Sequence, residues 1–315
     1  MSGLVVLDTS YGDILVEQRA AAPLSVGVTD ARRGGDLGTA EGVLVQYATI
    51  GAEQMDAHPT WRVIGRYGVG VDTIDLAAAG ERGIAVVNVP DYCQEEVATH
   101  AVALILAANR RLTGGDRLVR DGHWPQWSRL RPVVPLSEQT LGLIGIGRIG
   151  AEVIRLAGPF FREVVAHDPA VTAAAGARMV DLPELLARAD VVSLHCPLRA
   201  ETRHILDERA FRLMKDGVTV VNVSRGGLID SAALAAALGS GKVTAAGLDV
   251  LEDEPPGPDD PLLRAPNTVV TPHFAWYSET AEVRLRGLLA ERCAAYLRGR
   301  EVPSIVNATT LKATT

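Results

Sequence analysis

The chain has 315 residues, 47% of them apolar and 22% charged, which suits a globular protein with room for two compact domains. Its 31 Lys and Arg against 38 Asp and Glu leave a net charge of −7, without the basic face that a non-specific nucleic-acid binder needs. The opening MSGLVVLDTSYGD has no basic segment before a long apolar core, and the longest purely apolar run, AVALILAA (101–108), is too short for a bilayer, so neither signal peptide nor membrane anchor is expected.

In chain order, the first strands expected are LVVLD (4–8), GVLVQ (42–46), RVIGR (62–66) and IAVVN (84–88). A long apolar helix follows over 93–110. The Trp- and Pro-bearing stretch DGHWPQWSRLRPVVPLSEQT (121–140) then interrupts the alternation. The pattern resumes with LGLIGI (141–146), a helix over 148–157, REVVAHD (162–168), a helix over 182–188 and DVVSLH (190–195). VTVVNV (218–223), a helix over 231–239, TAAGLDV (244–250) and TVVTP (268–272) complete the strands. A last helix over 278–298 starts after Ser278, with Glu279 and Glu282 at the positive end of its dipole, and stops at Gly299.

Near-continuous apolar strands alternating with helices predict parallel sheets covered on both faces. Ten strands exceed one small sheet. Two α/β units are therefore expected, the second beginning near residue 100, with the helix over 93–110 bridging them. Three widely spaced cysteines, Cys93, Cys196 and Cys293, form no C-x-x-C pair, so reduced thiols in the cytoplasm and no bound metal are expected.

LIGIGRIG (143–150) carries Gly145, Gly147 and Gly150 in G-x-G-x-x-G spacing, after an apolar strand and opening a helix. The next strand ends in Asp168, with 17 residues between it and Gly150. That context marks a dinucleotide-binding turn. Gly145 permits the tight turn, Gly147 a close approach of backbone to pyrophosphate, and Gly150 close packing of the helix on the strand. The helix start offers N–H groups and partial positive charge to the phosphates. Asp168 can accept from the ribose hydroxyls and would repel a 2′-phosphate, which favours NAD over NADP.

Three loops lie at the carboxyl ends of strands in the same unit: VSRGG (223–227), LDVLEDEPPG (248–257) and TPHFAW (271–276). In an open α/β sheet this is the edge where ligands bind. An arginine, a carboxylate and a histidine meeting there would suit hydride transfer to a 2-oxo acid. Arg225 could clamp the carboxylate and polarise the ketone with its planar fork. His273 could protonate the developing alkoxide, held charged by one of the loop's acids: Asp249, Glu252, Asp253 or Glu254. Taken singly, each of these side chains is as readily a structural group.

Seven segments in order, GRYGVGVDTIDL (65–76), GIAVVNVP (83–90), LGLIGIGRIG (141–150), VSLHCPL (192–198), VNVSRGGLID (221–230), GLDVLEDEP (247–255) and TPHFAW, resemble the D-isomer-specific 2-hydroxyacid dehydrogenases over essentially the whole chain. The resemblance implies two α/β domains, a Rossmann-type NAD-binding domain (100–277) inserted into a smaller flavodoxin-like substrate domain (1–99 and 278–315), with the active site in the cleft. It implies Arg225, Glu254 and His273 as the catalytic residues. It assigns Gly145, Gly147, Arg148, Ile149, Gly150, Asp168, Val223 and Ser224 to the cofactor, with His195, Cys196, Pro197 and Thr202 on its adenosine side and Asp249 at the nicotinamide carboxamide. The backbone N–H groups of Val69 and Gly70 would bind the substrate carboxylate, with Gln46, Tyr47 and Trp276 as further substrate contacts and Tyr67 and Tyr92 shaping the pocket. Glu252 and Asp253 receive no role and are expected to be solvated. The region over 101–140 resembles the arm through which relatives form homodimers.

The sequence departs from the family in places. Thr99 stands where many relatives have an acid before the histidine, and Pro159 and Phe160 replace small residues. Gln46 and Tyr47 occupy the place where relatives acting on phosphorylated substrates often carry an arginine, which weakens 3-phosphoglycerate as substrate beside glyoxylate or hydroxypyruvate. AWYSE (275–279) is similar to the C-terminal-binding corepressor branch. An NAD(H)-responsive binding protein with weak dehydrogenase activity is therefore the alternative to an NAD-dependent enzyme acting on a small 2-oxo acid.

Overall fold

The computed structural model describes residues 3–311. The chain divides into two compact units, one made of the first 93 residues together with the chain from Ser278 onward, the other Gln94–Tyr277. The first division falls before Gln94 rather than at residue 99. The helix Gln94–Asn109 is one uninterrupted element, and its buried side, Val97, Ala98, Ala101, Leu104, Ile105 and Ala108, goes whole to the second unit.

In the first unit, β1 (Gly3–Val6), β2 (Gly27–Asp30), β3 (Gly42–Val45), β4 (Val63–Arg66) and β5 (Ala85–Val87) form a parallel sheet in the order β2-β1-β3-β4-β5. This is the flavodoxin order. β3 is buried at all four positions, as its unbroken apolar run requires, and β2 at the edge alternates exposed and buried residues. Helix Glu279–Leu297 returns from the far end of the sequence to pack against helix Leu15–Ala21 and the sheet. Its start is capped as expected, Ser278 Oγ accepting from Ala281 N at 3.0 Å. Beyond it, Asn307 brackets β5: its Oδ1 accepts from Val86 N and its Nδ2 donates to Ile84 O, each at 2.9 Å.

The second unit holds β6 (Thr140–Ile144), β7 (Glu163–His167), β8 (Arg178–Met179), β9 (Val191–Leu194), β10 (Val218–Asn222), β11 (Val243–Leu248) and β12 (Thr268–Val270). All are parallel, in the order β12-β11-β10-β9-β6-β7-β8. Strand order reverses between β6 and β9, and such a switch point opens a crevice at the strands' carboxyl ends. β6, β9 and β10 are buried throughout. No helix among the described residues is long and apolar enough to cross a membrane.

Candidate active site

The glycine turn sits at the switch point. Gly145 has φ 97°, and a Cβ there would lie 2.5 Å from Cys196 N, so only glycine fits. A Cβ on Gly150 would lie 2.3 Å from Gly145 O, which is how closely the helix Arg148–Ala157 meets the turn. Gly147 is the reverse case: it is exposed, and nothing stands within 4 Å of where its Cβ would be. As N-cap it has no side chain to satisfy the first helical N–H groups, so the helix start is open to an anion. Asp168 ties its strand to the turn, Oδ2 accepting from Ile146 N and Oδ1 from Ala170 N, both at 2.8 Å. Each oxygen keeps acceptor capacity for a ribose hydroxyl. These residues fit a dinucleotide.

Beside the turn, His195 N donates to Ile144 O at 2.7 Å, and the His195 Nε2 meets Ser193 Oγ at 2.9 Å. Nδ1 of His195 is shielded from solvent without a hydrogen-bond partner among the described residues, and burial pushes the imidazole down to about 4. Burial pushes the Cys196 thiol up to about 11, so it is no nucleophile at neutral pH. Thr202 folds its own loop, donating to Pro197 O at 2.7 Å and accepting from Arg199 N at 2.8 Å. Val223 is buried, and Ser224 Oγ donates to Leu194 O at 3.0 Å.

The acidic loop answers which carboxylate meets the histidine. Glu254 Oε2 lies 2.5 Å from His273 Nδ1, leaving Nε2 as the ring nitrogen available for proton exchange. Glu254 Oε1 accepts from Leu251 N at 3.0 Å. Burial pushes the Glu254 carboxyl up, but the hydrogen bond and charge of His273, the Leu251 N–H and the charge of Arg225 together hold it below the usual carboxylate range. Arg225 thus stands within electrostatic reach of the pair. Gly226 accounts for this proximity, because a Cβ there would fall 1.8 Å from Leu251 O. The first glycine of the SRGG turn lets the two loops touch backbone to backbone.

Glu252 is exposed, as expected, but it also has partners. Its Oε1 lies 2.7 Å from His204 Nε2 and 3.6 Å from Arg203 Nη1, two side chains whose distance in sequence hid them. Asp253 is exposed. Alternate residues of the loop therefore carry a carboxylate to a different histidine each.

Asp249 is 2% exposed, and its oxygens are engaged by the histidine loop. Oδ1 accepts from Thr271 Oγ1 at 2.6 Å and Phe274 N at 3.1 Å, and Oδ2 from Ala275 N at 2.9 Å. Its carbonyl accepts from His273 N at 2.8 Å. These bonds hold His273 at φ 53°, a left-handed conformation costing about 1 kcal/mol for a residue with a side chain. Sequence reasoning missed His100, whose Nε2 lies 3.0 Å from Thr271 Oγ1 and whose ring meets Phe274 edge-on at 5.2 Å. Trp276 is half-buried, edge-on to Tyr277 at 5.6 Å.

In the first unit, no acceptor is found for the N–H of Val69 or of Gly70 among the described residues. Val69 is exposed, as is Tyr47. Gln46 is buried, its Oε1 taken by Thr9 Oγ1, Ser10 N and Ser10 Oγ at 2.9, 2.8 and 3.2 Å. Tyr67 and Tyr92 are 2% and 5% exposed. The Tyr67 hydroxyl donates to Glu17 Oε1 at 3.0 Å.

Residues 102–275 match the family described as D-isomer specific 2-hydroxyacid dehydrogenase, NAD binding domain. The chain is 42% identical over 272 residues to a D-3-phosphoglycerate dehydrogenase of Archaeoglobus fulgidus, covering 85% of this chain and 51% of that one. It therefore spans about half the length of that curated relative. A glyoxylate reductase of Korarchaeum cryptofilum is 41% identical over 272 residues, 84% of this chain and 81% of its own. Among solved structures, a D-lactate dehydrogenase from Aquifex aeolicus complexed with NAD and lactic acid superposes with a TM-score of 0.84 at 31% identity, covering 94% of this chain and 96% of that one.

Proposed function

The chain belongs to the D-isomer-specific 2-hydroxyacid dehydrogenase family, and from that premise we propose that it interconverts a small 2-oxo acid and its (R)-2-hydroxy acid with NAD(H). NADH, when bound, supplies the hydride that reduces the carbonyl carbon. Arg225 grips the substrate carboxylate and polarises the carbonyl oxygen. His273 gives the proton on Nε2 to that oxygen and is left neutral. Glu254, at 2.5 Å from Nδ1, keeps the ring oriented for that transfer. Asp249 acts behind them, holding the loop that carries His273; its proposed contact with the nicotinamide carboxamide would be additional to those bonds.

The second unit is the NAD-binding part in this reading, with the glycine turn receiving the phosphates and Asp168 the ribose. His195 and its neighbours through Thr202 line the adenosine side. The first unit receives the substrate carboxylate on the N–H groups of Val69 and Gly70, whose lack of acceptors supports the assignment. Gln46, Tyr47 and Trp276 are proposed as further contacts. The names of relatives, D-3-phosphoglycerate dehydrogenase, glyoxylate reductase and D-lactate dehydrogenase, delimit the substrates to try.

The observation that carries the proposal is the His273–Glu254 pair within electrostatic reach of Arg225. Loss of NADH absorbance with glyoxylate, pyruvate, hydroxypyruvate and phosphohydroxypyruvate tests it. Turnover of at least one is expected. Tight NADH binding with none turned over would favour the nucleotide-responsive binding role instead. We further propose a homodimer formed through the region 101–140, and residence in the cytoplasm. The second accords with three buried cysteines that form no disulfide.

A further inference from the structure

The first unit buries an ionic cluster that takes no part in the chemistry above. Glu17, in helix Leu15–Ala21, is fully buried. Its carboxylate accepts from Arg286 Nε and Nη2, both at 2.9 Å, and from the Tyr67 hydroxyl at 3.0 Å. Arg286, on helix Glu279–Leu297, also donates to Asp13 O at 2.7 Å and to Glu282 at 3.2 Å. Its guanidinium lies over the Tyr11 ring, 4.6 Å from the centroid, and Tyr11 meets Tyr67 edge-on at 5.6 Å. Burying an ion pair gains little stability, because desolvation cancels much of the attraction and apolar residues of similar volume commonly do as well. What such a cluster can supply is a single arrangement, since any displacement strands a charge in a low dielectric.

The arrangement defined here is that of the chain just after β4. Tyr67 precedes Gly68, whose φ is 134° and whose Cβ would fall 1.8 Å from Arg66 Nη1. Three successive carbonyls are held here: Tyr67 O by Arg66 Nη1 at 2.6 Å, Gly68 O by Val89 N at 3.0 Å, Val69 O by Asn88 Nδ2 at 2.6 Å. The N–H groups of Gly68, Val69 and Gly70 find no acceptor among the described residues. A backbone anion site of this kind binds well only if its donors are fixed before the ligand arrives, since ordering a loop on binding subtracts from affinity.

We propose that Tyr67 is a positioning residue: the buried Glu17–Arg286 pair pins its hydroxyl, and the pinned ring fixes the Gly68–Gly70 backbone that receives the carboxylate of a 2-oxo acid. The proposal rests on the dehydrogenase reading for the identity of the ligand, and on the first unit alone for its geometry. Tyr67 touches no reacting atom in this scheme. Its loss should therefore act on substrate binding and spare both the chemical step and the cofactor.

The test compares the wild-type protein with Tyr67→Phe, which keeps the ring and removes only the pinned hydroxyl. Calorimetry of oxalate binding to the NADH-saturated protein is the first readout; the KM and kcat of the best 2-oxo acid of the panel are the second. In Tyr67→Phe, oxalate Kd and KM should both rise about tenfold, while kcat and the NADH Kd stay within about twofold. Glu17→Gln keeps an acceptor for Tyr67 but removes the charge facing Arg286, and should move the same constants in the same direction. Arg286→Lys, which keeps the cation and loses the fork, carries the comparison if either of the others fails to fold. Unchanged oxalate Kd and KM in a folded variant, even one that melts earlier, would mean that the cluster only packs, and would overturn the proposal. So would a wild-type protein that binds no oxalate. Oxalate binding with no 2-oxo acid turned over would instead sink the dehydrogenase reading, and the Tyr67 comparison would still be decided by calorimetry.

Discussion

His273 occupies a backbone conformation that side chains avoid, and the Glu254 carboxylate is what makes the position useful. The Glu254 carboxyl lies below its ordinary value, so the pair's contribution to stability is present above the usual carboxylate range and is lost as pH falls through the lowered value. Glu254→Gln leaves a side chain that can still meet Leu251 N but removes the carboxylate that orients His273 through Nδ1. It should therefore lower kcat for reduction about tenfold or more with NADH binding retained, read from steady-state kinetics and fluorescence titration. An unchanged kcat would shift attention to Glu252. At Gly226 the argument is steric. Gly226→Ala puts a Cβ where Leu251 O now stands, so the loop carrying Glu254 must move. A fall in kcat of about a hundredfold is expected, with NADH binding retained as measured by fluorescence titration. The glycines at 145, 147 and 150 were legible because their spacing repeats a turn whose mechanics are local. Gly226 was not: the backbone it admits lies 25 residues further along, and nothing in SRGG announces that distance.

Among the elements, those buried on both faces were the readable ones. β3, β6, β9 and β10 are predominantly apolar, with only small or amide side chains such as Ser193, Thr219 and Asn222 among them, and lie where their sequences imply. β2 escaped notice because an edge strand half in water reads GVTD, with no unbroken apolar run. The helices Leu15–Ala21, Ala52–Ala57, Leu76–Glu81, Leu112–Arg120 and Glu208–Leu213 also escaped, being too short for a periodicity of 3.6 to emerge. The loops between strands carry the site, and there the acidic cluster was ambiguous on its residues alone, since any of four carboxylates could have faced His273; the family resemblance pointed to Glu254, and the folded geometry puts it at 2.5 Å while Glu252 pairs with His204. Asp249 governs the histidine loop as a unit. Asp249→Ala would strand the N–H groups of Phe274 and of the buried Ala275, so the variant should be less stable by about 2 kcal/mol in urea unfolding. Its activity should fall further than that loss implies, because His273 would be released from its conformation.

For the whole molecule, the region proposed for dimerisation is unusual in what it shows to solvent. Trp124 and Trp127 are 75% and 60% exposed, with Leu112, Val119 and Val134 exposed beside them in sequence. Large apolar side chains so displayed mark an association surface more often than a bare one. A Trp124→Ser/Trp127→Ser double variant should elute at the mass of one chain where the parent elutes at two, judged by light scattering. The first unit has another property of the whole chain: Glu17 and Arg286 are 269 positions apart and close the same unit. A ribosome delivers residues in order, so the nascent chain exposes Glu17 and Tyr67 long before the partner that neutralises them is made. Gln94–Tyr277 is by then entirely synthesised. The opening sheet must therefore wait, its buried charge unpaired, for the helix that completes it.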